Sequence, residues 1–96
     1  MARVVVAQRA RTDLEQLIGT RNLPAGTVSR VQVSLQPLAS FPNLGKRLTG
    51  RWRGFRVILG PWPWMLIVYL FDEPTNTVAI VAIHDAGSAS SATAEV

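Results

Sequence analysis

Hydrophobic positions change period twice along this chain. Residues 2–7 (Ala-Arg-Val-Val-Val-Ala) are a short β-branched run that predicts a strand. Ala10, Leu14, Leu17 and Ile18 then recur at i, i+4, i+7 and i+8, the pattern of an amphipathic helix that Gly19 can end. Thr12 and Glu15 stand at capping-box spacing, although the apolar pattern also allows a start near Gln8. A second helix is expected after Leu23-Pro24, because proline suits the first helical position. Val28, Val31, Leu35 and Leu38 give it an apolar stripe. Val31, Val33 and Leu35 also alternate, which leaves a strand as the second reading. Pro37 and Pro42 should stop whatever precedes them.

From Arg51 onward the period is that of strands. Phe55, Val57 and Leu59 share one face, with Arg56 and Ile58 on the other. Gly60-Pro61-Trp62-Pro63 breaks the strand. Trp64 to Phe71 is apolar on both faces, as a central strand is. Residues 72–77 form a turn, and Val78 to Ile83 return as the last strand, ending in His84-Asp85. The order β-α-α-β-β-β predicts an α+β domain over residues 1–86, with two N-terminal helices on a small, mostly antiparallel, four-stranded sheet. Residues 87–96 are small, polar and nearly uncharged, the composition of a flexible C-terminal tail.

At 96 residues there is room for one core. The absence of cysteine excludes a disulfide scaffold and thiolate metal sites. One histidine with scattered acids offers no metal-ligand spacing, so neither metal nor cofactor is expected. The longest apolar run is eight residues, against roughly 20 for a spanning helix. No signal peptide is apparent, so the expectation is a cytoplasmic protein without membrane contact.

Charge sharpens this picture. All ten basic residues fall within residues 1–56 against two acids, a net of +8, whereas residues 57–96 carry −4. Nine of the ten cations are arginine, the residue suited to bidentate contact with phosphate or carboxylate. A polyanionic partner is implied, either nucleic acid or an acidic protein segment. Lys46, Arg47, Arg51 and Arg53 are the candidate contacts, with Trp52 interleaved as a candidate stacking surface.

Several segments, taken in order, resemble the RelE/ParE superfamily of bacterial toxins from type II toxin–antitoxin pairs. They are Ala10 to Ile18, Leu38-Ala39-Ser40-Phe41-Pro42-Asn43-Leu44-Gly45-Lys46, Leu48-Thr49-Gly50, Gly54-Phe55-Arg56-Val57-Ile58 and Ile67 to Glu73. The resemblance covers roughly residues 3–86. It implies a growth-inhibiting protein neutralised by a cognate antitoxin in a hetero-oligomeric complex. RelE-like members cleave mRNA on the ribosome, whereas ParE-like members bind DNA gyrase without a settled catalytic set. Carried over by position, the RelE-like reaction implies Arg56 as a phosphate ligand and His84 as the proton-transfer group. Three positions depart from that pattern, because Ile58, Met65 and Gly87 stand where cations are expected. The expectation is an mRNA interferase with an incomplete catalytic set. The alternatives are a ParE-like gyrase inhibitor and an inactive toxin that only binds antitoxin.

Overall fold

A computed structural model describes residues 1–87 of the chain. The elements are β1 (Arg3–Val6), α1 (Gln8–Thr20), α2 (Thr27–Leu35), α3 (Pro37–Ser40), β2 (Lys46–Arg47), a 3-10 turn (Gly50–Trp52), β3 (Arg56–Leu59), β4 (Met65–Asp72) and β5 (Thr77–Asp85). They build an α+β fold with one mixed sheet in the order β1-β5-β4-β3-β2. The β1–β5 pair is parallel and the other three pairs are antiparallel. The tail expected over 87–96 lies, apart from Gly87, outside the described residues.

The sheet has five strands where four were expected. The addition is β2, two exposed basic residues with no hydrophobic alternation to announce them. It joins the edge because the preceding loop is clamped. The Tyr69 hydroxyl donates to the Pro42 carbonyl at 2.8 Å and accepts from the Gly45 amide at 2.8 Å. Arg56 Nη1 donates to the carbonyls of Gly45 and Asn43 at 2.8 and 3.2 Å. Gly45 is required for this approach: a Cβ there would lie 2.7 Å from the Tyr69 ring and 2.8 Å from the Val57 carbonyl oxygen.

Other local expectations shift by a few residues. α1 starts at Gln8 directly after β1, with no side-chain cap at Ala7, so Thr12 and Glu15 lie inside the helix. Gly19 is also inside it, and the chain turns out at Asn22, which has φ 51°. Pro24 precedes α2 instead of opening it; its carbonyl accepts both the amide and the hydroxyl of buried Thr27. Val33 is 60% exposed, so the 27–35 segment is helical and not an alternating strand. α2 ends at Leu35, just ahead of Pro37 as expected, and Pro37 also opens α3, where a residue needs no amide partner.

The central strand behaves as its composition predicts, for Met65 through Tyr69 are all buried. Met65, Ile67 and Tyr69 face the helices and pack with Leu14, Val31, Leu35, Leu38, Val78 and Ile80. The opposite face carries a second cluster of Val68, Ala82 and Leu48, covered by Trp52 and Phe55 from the loop before β3. A register shift interrupts the β4–β5 pairing: Tyr69 faces Ile80, but Val68 faces Ala82, and Val81 is left over as a bulge. The bulge sits where β1 runs out at Ile80. Beyond it α1 covers the exposed edge of β5, and Asp13 Oδ2 accepts the Ile83 amide at 3.0 Å. No helix among the described residues is long and apolar enough to cross a membrane.

Candidate functional site

Arginines gather at one end of the sheet. A cleft of about 800 Å³ is lined by Arg47, Arg53 and Arg56, by the half-buried rings of Phe55 and Phe71, and by Glu73. Arg47 and Arg56 are direct partners in the β2–β3 ladder. Arg53 comes from the loop over residues 48–55, which turns at Gly50 and Gly54 with φ 66° and 93°. Lys46 is exposed on the edge strand beside Arg47, and Arg51 is exposed on the 3-10 turn. Sequence reasoning missed Phe71 and Glu73 as parts of this cleft, because they arrive from the far end of β4. Tyr69, the sole tyrosine and a buried ring of the apolar strand, uses its hydroxyl to hold the loop that delivers Arg47.

His84 lies elsewhere. Its cross-strand partner is Leu66, while that of Arg56 is Tyr69, three positions along β4. Cross-strand partners share a face and successive residues alternate. Arg56 is therefore on the helix side with Tyr69, and His84 is on the opposite side. The structure does not bring these two residues together. Arg56 faces the 43–45 loop; His84 is 9% exposed under the Trp52 ring, whose centroid is 5.3 Å away in edge-to-face contact. Trp52 is thus a cover over the sheet and not an open platform. It also contacts Phe55, lies 5.9 Å from the Arg9 guanidinium, and keeps its buried indole N–H without a partner among the described residues.

Burial lowers the His84 pKa below 6.5; the Asp13 charge opposes this and Arg9 adds to it. The imidazole is accordingly neutral at pH 7. A histidine with a depressed folded-state value gives stability that is complete above the unfolded value. That stability declines as pH falls through 6.5 and levels off once folded His84 also takes its proton. The melting temperature of the wild type should therefore fall from pH 7.5 to 5.5, roughly one unit either side of the unperturbed His value. His84→Gln should flatten that interval, and an undiminished slope in the variant would contradict the assignment. Neighbouring Asp85 points the other way. Arg21 hydrogen-bonds to its carboxylate and, with the Gly87 amide, holds its pKa below 3.8, so its own contribution is lost only in stronger acid.

A ladder of rings and cations closes the remaining end of the sheet. Arg30 lies 5.2 Å from Trp62, Trp62 stacks on Trp64 at 6.0 Å and 20°, and Arg21 lies 4.3 Å from Trp64. Both outer ring faces are occupied by arginine, so the ladder ties the β3–β4 turn to the helices.

No protein-family profile matches the sequence, and no curated protein matches it. Solved structures do match in three dimensions. A chain of the RelBE toxin–antitoxin complex from Mycobacterium tuberculosis superposes with a TM-score of 0.66 at 23% identity, covering 88% of this chain and 96% of that one. The ParDE toxin–antitoxin system from P. aeruginosa gives 0.68 at 15% identity, over 88% and 96%. The isolated RelE toxin from E. coli gives 0.65 at 15% identity, over 94% and 89%. The chain has the RelE/ParE toxin fold.

Within that fold, the three positions expected to carry cations have definite surroundings. Ile58 packs against the helix-side core, and Met65 is fully buried in it. On the other face β4 presents Leu66, Val68 and Leu70, so no cation of β4 is available there. Gly87 is exposed, and a Cβ there would meet Asp85 Oδ1 at an ordinary 3.5 Å. Among the described residues no three metal-ligating side chains come together.

Proposed function

We propose that this chain is the toxin of a type II toxin–antitoxin module, acting in the cytoplasm, and that it inhibits growth by binding DNA gyrase and not by cutting mRNA. The placement of Arg56 and His84 on opposite faces of the sheet carries this reading. In-line cleavage by a 2′-hydroxyl needs its base and its phosphate ligands around one reacting group, within about 3 Å of the atoms they serve. Here the neutral imidazole is roofed by Trp52, and Arg47 and Arg56 stand on the opposite, helix side of the sheet. A protein that works by binding needs no such convergence. Supercoiling assays with purified gyrase test the proposal: inhibition that survives His84→Ala is expected. Unimpaired supercoiling at stoichiometric protein would overturn it.

One observation favours mRNA cleavage as a second reading. The cleft with Arg47, Arg53 and Arg56 concentrates guanidinium groups beside aromatic rings. Gly87→Arg gives a direct comparison, because the site has room for a side chain. The variant should keep the wild-type stability to within about 0.5 kcal/mol and leave mRNA intact on programmed ribosomes. Cleavage appearing in the variant would move the assignment to an interferase that has lost one cation.

Both readings share an antitoxin. The RelBE and ParDE matches are toxin–antitoxin assemblies. In this chain the basic first 56 residues would meet an acidic partner segment, and the groove between α1 and α2, lined by Leu14, Ile18, Val31 and Leu35, would receive its apolar side chains. A protein encoded beside this one should co-purify with it and raise its melting temperature by mass action.

A further inference from the structure

Among the described residues, the backbone hydrogen bonds of the loop over residues 48–55 stay within it. The Leu48, Arg53 and Phe55 amides donate to the Phe55, Gly50 and Trp52 carbonyls at 3.0, 3.1 and 3.0 Å. The Trp52 ring is what reaches the sheet: it packs on Val68 and Ala82 and meets His84 edge to face at 5.3 Å. Glycines bracket this ring, for Gly50 and Gly54 take φ 66° and 93°. A Cβ on Gly54 would meet nothing within 4 Å, so backbone conformation and not packing calls for glycine there. Residues of this kind absorb the rotations of a hinge. Closure also has a cost, because the buried Trp52 indole N–H has no partner among the described residues. Water would satisfy it once the ring lifts.

His84 lies boxed in beneath this ring. From α1 come Arg9, 5.9 Å from the Trp52 ring, and Asp13, whose Oδ2 accepts the Ile83 amide and lies 3.9 Å from Arg9 Nε. Leu66 stands opposite on β4, and Trp52 is the cover from the loop. Asp85, next along β5, is turned to the other face and bonded to Arg21. An imidazolium in this box would lack water, with the Arg9 cation near it and the Asp13 carboxylate already engaged.

We propose that residues 49–54 form a hinged flap, held shut by Trp52 over neutral His84, and that protonation of His84 opens it while the sheet stays folded. Burial lowers the imidazole pKa in the closed form, so the open population rises as pH falls through 6.5. Opening uncovers Val68 and Ala82 and carries Arg53 out of its place in the basic cleft. Such a switch operates whichever target the toxin takes, so it can fail while the growth-inhibition reading stands.

Hydrogen exchange of the full-length chain, followed by NMR between pH 7.5 and 5.5, tests this over roughly one unit either side of the ordinary histidine value. Corrected for the intrinsic rate, the Trp52 indole N–H should be less protected than amides 66–69 of β4 at every pH. Its protection should also be insensitive to low urea, whereas that of the β4 amides falls, because a local opening exposes little surface. Between pH 7.5 and 5.5 the indole should lose protection severalfold. His84→Gln, checked for fold by circular dichroism, should remove that pH dependence. In Trp52→Ala the imidazole should titrate closer to 6.5 than in the wild type, because its cover is gone. The wild-type and His84→Gln arms decide the matter if Trp52→Ala does not fold. An indole that shares the protection and urea dependence of β4 would overturn the proposal, since only global unfolding would then uncover it. So would an indole already unprotected at pH 7.5, or a pH dependence that is absent from the wild type or survives His84→Gln.

Discussion

A Met65→Arg protein should fail to fold instead of gaining a catalytic cation. Position 65 is where the resemblance to RelE-like toxins expects an arginine, so the substitution looks like a repair. Met65 is fully buried in the helix-side core, and Gly60 sits so close that a Cβ there would lie 2.8 Å from the Met65 sulfur. A guanidinium placed there loses its water, and the one carboxylate across the ladder, that of Asp85, is already bonded to Arg21. An unpaired buried charge costs several kcal/mol, on the order of the whole stability of a small domain. Insoluble expression, or a far-UV spectrum without the native sheet signal, is the expected outcome. Met65→Leu is the control, because volume-conserving apolar swaps cost less than about 1.5 kcal/mol. A folded, soluble Met65→Arg protein would show that position 65 reaches solvent, and the register of β4 would have to be redrawn.

Tyr69→Phe is expected to cost about 2–4 kcal/mol, a large effect for the loss of one oxygen. The hydroxyl joins two backbone groups of one loop, accepting from Gly45 and donating to Pro42. Phenylalanine keeps the ring and orphans the buried Gly45 amide and the half-buried Pro42 carbonyl, which costs more than the deleted bonds were worth. Burial raises the Tyr69 pKa, against the smaller pulls of the Gly45 amide and Arg56, so the hydroxyl stays protonated and able to donate. The loop also anchors β2, so the loss should reach Arg47 and its cleft. Chemical denaturation gives the stability change, and hydrogen exchange at residues 45–47 should rise ahead of exchange in β4. A change below about 0.5 kcal/mol, the range of surface substitutions, would mean the loop is held by Arg56 alone.

Much of the fold was legible because its strongest signals are periodic. The i, i+4, i+7, i+8 set in α1 and the doubly apolar β4 both pack as their patterns indicate. β2 was not legible, since two lysine-arginine residues have no period and owe their strand pairing to the Tyr69 and Arg56 clamp on the loop before them. The relation between Arg56 and His84 was illegible for a subtler reason. Alternation within one strand tells which residues share a face, but faces on different strands are related only through register. Without the bulge at Val81, the register from Asp72–Thr77 to Tyr69–Ile80 would continue to pair Met65 with His84, on the same face as Arg56. One inserted residue moves His84 to the other side of the sheet. Inserted residues of this kind leave no mark in an apolar run such as Val78 to Ile83.

The same bulge separates the two candidate groups. It turns Ile83 inward to the helix-side core, where α1 offers the Asp13 carboxylate to its amide, and sends His84 beneath Trp52. The basic cleft and the buried histidine are then two separate features, and a toxin that acts by binding accommodates both.

The central claim, a RelE/ParE-fold toxin that does not cut mRNA, is tested most directly by inducing the chain without its antitoxin. Message 5′ ends would be mapped and chromosomal DNA probed for breaks in the same cells. Growth arrest with DNA breaks and unchanged message ends is the result expected. New 5′ ends inside translated codons, abolished by Arg56→Ala or His84→Ala in a folded protein, would contradict it and return both residues to catalysis.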